Sequence, residues 1–331
     1  MKLSRATGLA RQPRNEPILC VEVGHTRFKA AILPQYPTFE ELQKTKTYSG
    51  LSHPWLKGNL EQLFKPSKEN PLNELLSTRI SEISLSIFGP IYDHKIHGCG
   101  TQETVSANLH ETLQKDISAK LRIESDSVSW ATGAVEFLKL TSHSIQYPAL
   151  ALTFGTGPGV ALIENPETIH AIEIWVMSPA YSRLKPLAKP HGQESRPYRL
   201  FQTKFLSQIS GGESNVNEKM KTYGGEFNAQ VKAFSEDVRE YVQTLFPSLP
   251  KIETFLIGGG VSRFIDSNSP SSIVLNPQFL EKQGVSPDII QLLGCERMCE
   301  EAPLITNTHP SLSELQEELE KRRLVRLATL P

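Results

Sequence analysis

The chain has 331 residues, 38% of them hydrophobic and 21% charged, with a formal net charge of −1. This length holds two domains and a sizeable core, while the balanced charge gives no electrostatic footprint for nucleic acid or an anionic membrane. Cys20, Cys99, Cys295 and Cys299 form no disulfide framework, and no apolar run approaches the about 20 residues of a membrane span, so a soluble cytoplasmic protein is expected.

Residues 1–15 carry Lys2, Arg5, Arg11 and Arg14 without an apolar core and read as a flexible basic tail rather than a secretory signal. Residues 17–33 read as a β-hairpin, Ile18-Leu19-Cys20-Val21 and Ala30-Ala31-Ile32-Leu33 flanking a glycine turn. Helical pieces are expected at 54–64 and 71–79, then a strand at 82–88 stopped by Gly89-Pro90. Leu109, Leu113, Ile117 and Leu121 line one face of a helix over 108–121. A short strand at 122–124 and a helix at 129–138 follow. The second half opens with a hairpin at 149–164, a strand at 169–176 and a polar, proline-bearing loop at 178–198. A long amphipathic helix spans 226–245, with Phe227, Val231, Phe234, Val238, Tyr241 and Val242 on one side. It leads to the strand 253–257, which runs into Gly258-Gly259-Gly260. Ser311 and Ser313 are candidate caps of a final charged helix, 311–327.

Both halves thus start with a glycine-turn hairpin and continue with alternating strands and helices, which predicts two related α/β lobes. The two turns are Val23-Gly24-His25-Thr26 and Phe154-Gly155-Thr156-Gly157-Pro158-Gly159. A glycine tolerates φ > 0 and lets an anion approach the backbone; threonine adds a hydroxyl donor. Paired turns of this kind suit a nucleotide gripped between lobes. Lys29 could face a phosphate, but strand alternation favours surface exposure. Cys295 and Cys299 lie on a helix without a completing zinc set and read as packing residues.

Four motifs in this order resemble the sugar kinases of the actin-like ATPase superfamily, in particular bacterial glucokinases and the ROK group. Glu22-Val23-Gly24-His25-Thr26 resembles the first phosphate loop, and Glu124-Ser125-Asp126 the segment that supplies the base. Phe154-Gly155-Thr156-Gly157-Pro158-Gly159 resembles the second phosphate loop, and Leu256-Ile257-Gly258-Gly259-Gly260-Val261-Ser262 the turn under the adenosine. The similarity spans residues 17 to 265. It implies a two-lobed α/β fold of the ribonuclease H-like, actin-like type with a nucleotide and sugar cleft between the lobes. The lobes are expected at 16–125 and 126–309, with the final helix (310–327) packing back onto the first.

The resemblance also implies ATP as phosphoryl donor, a sugar as acceptor, and Asp126 as the catalytic base. Glu22, Gly24, Thr26, Gly155, Thr156, Gly157, Gly258, Gly259 and Gly260 would hold the nucleotide, and Ser125 and Glu173 the sugar. Mg²⁺ would arrive with ATP, with Glu22 in its outer shell, and a homodimer is left open. The sequence departs from the family at several points. Glu22 stands for Asp, His25 for Gly and Ser125 for Asn; Val176 stands for the sugar-side His and Leu206 for a second Glu; the zinc motif of ROK proteins is missing. Asp126 could instead be a helix N-cap, although Ser127 or Ser129 could cap as well. The rival readings are a non-catalytic sugar or nucleotide sensor of the same fold, and a kinase for another acceptor such as an N-acetylhexosamine. No helix-turn-helix is read before the first lobe, which argues against a ROK-type repressor.

Overall fold

The computed structural model describes residues 17–24, 27–52, 63–65, 68, 70, 72–76, 78, 80, 82–88, 91–92, 95–96, 119–155, 158–172, 216–265 and 272–298. Their order is β1 (Ile18–Val23), β2 (Arg27–Leu33), α1 (Phe39–Lys44), β3 (Tyr48–Leu51), α2 (Asn73–Leu76), β4 (Glu82–Ile87), the short pair β5 (Ile91–Tyr92) and β6 (Lys95–Ile96), β7 (Lys120–Ser125), α3 (Asp126–Leu140), β8 (Ala149–Phe154), β9 (Pro158–Asn165), β10 (Thr168–Ile172), α4 (Val216–Leu245), β11 (Thr254–Gly258), β12 (Ser272–Val274), α5 (Pro277–Lys282) and α6 (Ile289–Met298).

Two five-stranded sheets repeat one topology. In the first, ordered β3-β2-β1-β4-β7, the three consecutive strands pair antiparallel, and β4 and β7 add in parallel. In the second, ordered β10-β9-β8-β11-β12, the antiparallel trio is β8, β9 and β10, and β11 and β12 add in parallel. Both predicted hairpins form. The inner strands β1 and β8 are buried on both faces, which is why they read as continuous apolar runs rather than alternating ones.

The layers follow from where alternate side chains go. Leu19, Val21 and Val23 enter one cluster with Phe28, Leu63, Leu72, Leu75, Ile83 and Leu85. Ile18 and Cys20, on the opposite face of β1, enter a second cluster with Trp130, Ala134, Phe137 and Leu138 of α3 and Ile289, Ile290, Leu292 and Leu293 of α6. Ala149, Ala151, Ala161, Ile163 and Leu256 of the second sheet join that same cluster, so α3 and α6 lie between the sheets. On the far side of the second sheet, Phe227, Val231, Phe234, Val238 and Val242 of α4 pack on Leu150, Leu152 and Phe154. Burying each such side chain is worth about 1.5–3 kcal/mol.

α3 and α6 meet backbone to backbone. A Cβ at Gly133 would run into the Ile290 carbonyl, and one at Gly294 into the Ser129 carbonyl. α6 also packs on β1, β2, β4 and β7, which docks it on the first sheet.

Several boundaries differ from the sequence reading. The helix expected at 129–138 starts three residues earlier, because Ser125 takes the N-cap position and Asp126 the first helical one. The strand expected at 122–124 extends over Lys120–Ser125, so the end of the helix expected at 108–121 is strand instead; its first residues lie outside the described ones. The helix expected at 71–79 is the single turn Asn73–Leu76. The long helix begins at Val216 rather than 226. The tail 1–15, the loop 178–198 and the helix 310–327 lie outside the described residues, as does most of 54–64. Among the described residues, no helix is long and apolar enough to cross a membrane.

Candidate functional site

β1, β4 and β7 run parallel, as do β8 and β11, so their carboxyl ends gather around the first turn of α3. In open α/β sheets such a crevice is where ligands bind. Glu22 reaches it from the end of β1 with its residue 7% exposed, on the same face as Ile18 and Cys20. Gly24 makes room for it: a Cβ there would stand 2.8 Å from Glu22 Oε1 and 3.0 Å from the Arg27 carbonyl oxygen. The Gly24 N–H closes the turn onto that same Arg27 carbonyl at 2.9 Å.

Lys29 is the cross-strand partner of Glu22. Its Nζ lies 3.2 Å from Glu22 Oε2 and 3.6 Å from Asp288 Oδ1, just before α6, with the lysine side chain 30% exposed. Lys29 is therefore not the exposed strand residue that alternation suggests. Hairpin register puts it opposite Glu22, and two carboxylates hold it. Oε2 is buried and meets Lys29 as charge to charge rather than through a well-aligned hydrogen bond. Burial pushes the Glu22 carboxyl up and Lys29 only partly restores it. Burial pulls on the Lys29 ammonium in the opposite sense, but Glu22 and Asp288 outweigh it and its pKa is raised.

Asp126 opens α3. Ser125 is the N-cap, without a side-chain cap hydrogen bond, so the aspartate is not the cap. The Ser125 hydroxyl instead lies 2.9 Å from that of Ser127, and the Ser125 N–H donates to Glu124 Oε1 at 2.9 Å. Asp126 is half-buried, and its carboxyl is pushed up to about 7, by burial first and then by the charge of Glu22. The Ser127 N–H and Lys29 pull the other way and do not cancel these effects. A carboxylate at a helix N-terminus would ordinarily be favoured as the anion; here desolvation wins.

The backbone beneath Asp126 is tied from the other side. Gln291 of α6 donates from Nε2 to the Asp126 carbonyl oxygen at 2.8 Å and to Ser86 Oγ of β4 at 2.9 Å.

The second hairpin closes over the same turn. A Cβ at Gly159 would come within 3.5 Å of Ser127 Cβ, and the bare glycine also clears Thr153 Oγ1. Gly258 leaves space that the Trp130 ring of α3 fills, and Gly259, at φ 91°, lies against the Phe154 backbone immediately before Gly155. Gly260 has open space around it. The structure therefore brings Glu22 and Gly24 together with Ser125 and Asp126, and places Gly258 against Trp130 of α3 and Gly259 against the Phe154 backbone that leads into Gly155. Thr26, Thr156, Gly157, Glu173, Val176 and Leu206 lie outside the described residues.

Sequence reasoning missed Asp288 and Gln291 and misplaced Lys29. The hairpin register alone could have paired Lys29 with Glu22. No sequence signal links Asp288 or Gln291 to residues more than a hundred positions away.

The residues present do not fit a divalent cation held by the protein. Lys29 already stands at Glu22, and no group of three His, Cys, Asp or Glu side chains among the described residues could hold a metal ion.

No protein-family model and no curated protein matches this sequence. Solved structures do match it in shape, and the chain has the two-lobed actin-like ATPase fold found in the ROK sugar kinases. One is the inorganic polyphosphate/ATP-glucomannokinase of Arthrobacter sp. strain KM, 14% identical, covering 86% of this chain and 98% of that one at a TM-score of 0.52. Another, from Listeria monocytogenes, is a protein proposed to be an N-acetylmannosamine kinase, 17% identical, covering 86% of this chain and 99% of that one at a TM-score of 0.51. At such identities the likeness is one of fold.

Proposed function

We propose that this chain is an ATP-dependent sugar kinase, glucokinase-like, with Asp126 as general base. Phosphoryl transfer asks the protein chiefly for positioning and charge stabilisation. In this reading the turn of Glu22, Gly24 and Thr26 and that of Gly155, Thr156 and Gly157 take the nucleotide phosphates, Gly258 to Gly260 lie under the adenosine, and Ser125 and Glu173 orient the sugar. The lobes, 16–125 and 126–309, close on the cleft and exclude water. The sugar hydroxyl oxygen attacks the γ-phosphorus, the bond to the ADP oxygen breaks, and the hydroxyl proton passes to Asp126.

The observation that carries this reading is the place of Asp126, first residue of α3 and not its cap, beside Glu22 and under the second hairpin, where burial pushes its carboxyl up to about 7. A general base works best with its pKa near the operating pH. The test is ATP consumption by the full chain across a panel of hexoses and N-acetylhexosamines. A sugar-dependent rate supports the kinase and names the acceptor. A chain that binds ATP but stays silent with every sugar is a sensor of the same fold.

A further inference from the structure

We propose that Lys29 is a built-in cation: its ammonium, fixed between Glu22 and Asp288, takes the place a divalent cation would otherwise have at Glu22, so the chain binds no free divalent cation there. The placement is specified twice. The β1–β2 register sets Lys29 directly opposite Glu22, and Asp288, brought in by the docking of α6, fixes the ammonium from a second side. A nearly buried carboxylate such as Glu22 has to be compensated, and Lys29 is what the described residues offer it. A hard divalent cation needs carboxylate oxygens within about 2.0–2.6 Å. At Glu22 Oε2 it would sit beside a like charge, since Nζ is 3.2 Å from that oxygen.

An ammonium has three donors, and it meets the two carboxylates chiefly as charges, at 3.2 and 3.6 Å, which leaves a donor for a bound anion. The side chain is partly exposed, so that donor has a route to the crevice. That last step alone rests on the kinase reading: nucleotide phosphates, or a metal carried in on them, would meet a positive charge already in place.

The test needs no nucleotide, so a failed kinase reading cannot move it. Mn²⁺ alone is titrated into the full-length wild type, Glu22→Gln, Lys29→Met and the double variant Lys29→Met/Glu22→Gln, with water-proton relaxation and Tm as readouts. Wild type should show no Mn²⁺ binding that Glu22→Gln removes. Lys29→Met should gain weak Mn²⁺ binding at the two carboxylates that the ammonium had neutralised, Glu22 and Asp288. The double variant should lack it. Should Lys29→Met be too unstable to titrate, Mn²⁺ should raise its Tm and leave that of wild type unmoved. Two results would overturn the proposal: a wild-type Mn²⁺ site lost in Glu22→Gln, or a Lys29→Met chain that neither binds Mn²⁺ nor is stabilised by it.

Discussion

The two sheets share a topology but contribute different chemistry to the crevice. On the face turned to α3 and α6, the first sheet carries Glu22 and Lys29, with Ser84 and Ser86 beside them on β4. The same face of the second sheet is Ala149, Ala151, Ala161, Ile163 and Leu256. What the second sheet brings to the crevice is uncharged: bare backbone at Gly155, Gly159, Gly258 and Gly259, with the Thr153 hydroxyl beside Gly159. Charge comes from one half and close approach from the other, and they meet at the first turn of α3. A repeated fold can thus divide its work, because topology fixes where strand ends lie and leaves each half free in what it places there.

The largest expected effect is at Asp126, where the two contributions meet. Asp126→Asn keeps the shape but removes the basicity, so turnover should fall roughly 10²–10⁴-fold while ATP affinity changes little and Tm does not fall, since the amide also removes the buried charge that costs stability as pH rises. Steady-state kinetics beside ATP titration would show it, and an active variant would remove Asp126 from its role. The matching break in the second half is Gly259→Val. At φ 91° against the Phe154 backbone, a β-branched side chain is strained and overpacked. It should destabilise by about 1–3 kcal/mol or more in urea unfolding.

Gln291→Leu would leave the Asp126 carbonyl and Ser86 Oγ without their shared donor. That should cost about 1–3 kcal/mol. If Gln291 also positions Asp126, turnover should drop beyond what the lower Tm explains.

A pH effect of comparable size concerns Glu296, whose carboxyl is raised to about 8 by burial and whose Oε1 accepts from the Tyr36 N–H. A folded-state pKa above the unfolded value means stability present at low pH and lost as pH rises, here between 4.5 and about 8. Asp126 acts in the same sense between 3.8 and about 7. The wild-type urea midpoint should therefore fall from pH 5 to pH 8.5, and Glu296→Gln should flatten that fall. The smallest effect sharpens the contrast with Gly259: Gly260→Ala meets open space and should stay within about 0.5 kcal/mol of wild type.

Both glycine-turn hairpins were legible, because tight turns between apolar runs leave strong local marks. So were the stripe of α4 from Phe227 to Val242 and the order of the motifs. Local signals failed where two local preferences competed. The sequence leaves Ser125-Asp126-Ser127 between the strand and the helix, with Asp126, Ser127 and Ser129 as rival caps, and α3 takes Ser125 instead. The sequence places the start of the long helix at 226, yet α4 begins ten residues earlier and runs through Gly224-Gly225. The ion pair to Asp288 and the tie through Gln291 were illegible for another reason. They exist only because Gly133 and Gly294 let α6 dock closely on α3, which is a property of the assembled core.

The central claim is that Asp126 takes the proton in transfer to a sugar, and the pH dependence of kcat/KM with the best acceptor tests it most directly. The account predicts a rate that rises with pH through a limb near 7, where the Asp126 carboxyl ionises. A sugar-dependent rate that stays flat from about pH 5 to 9 would contradict it, since a base of unshifted pKa would be ionised over that whole range.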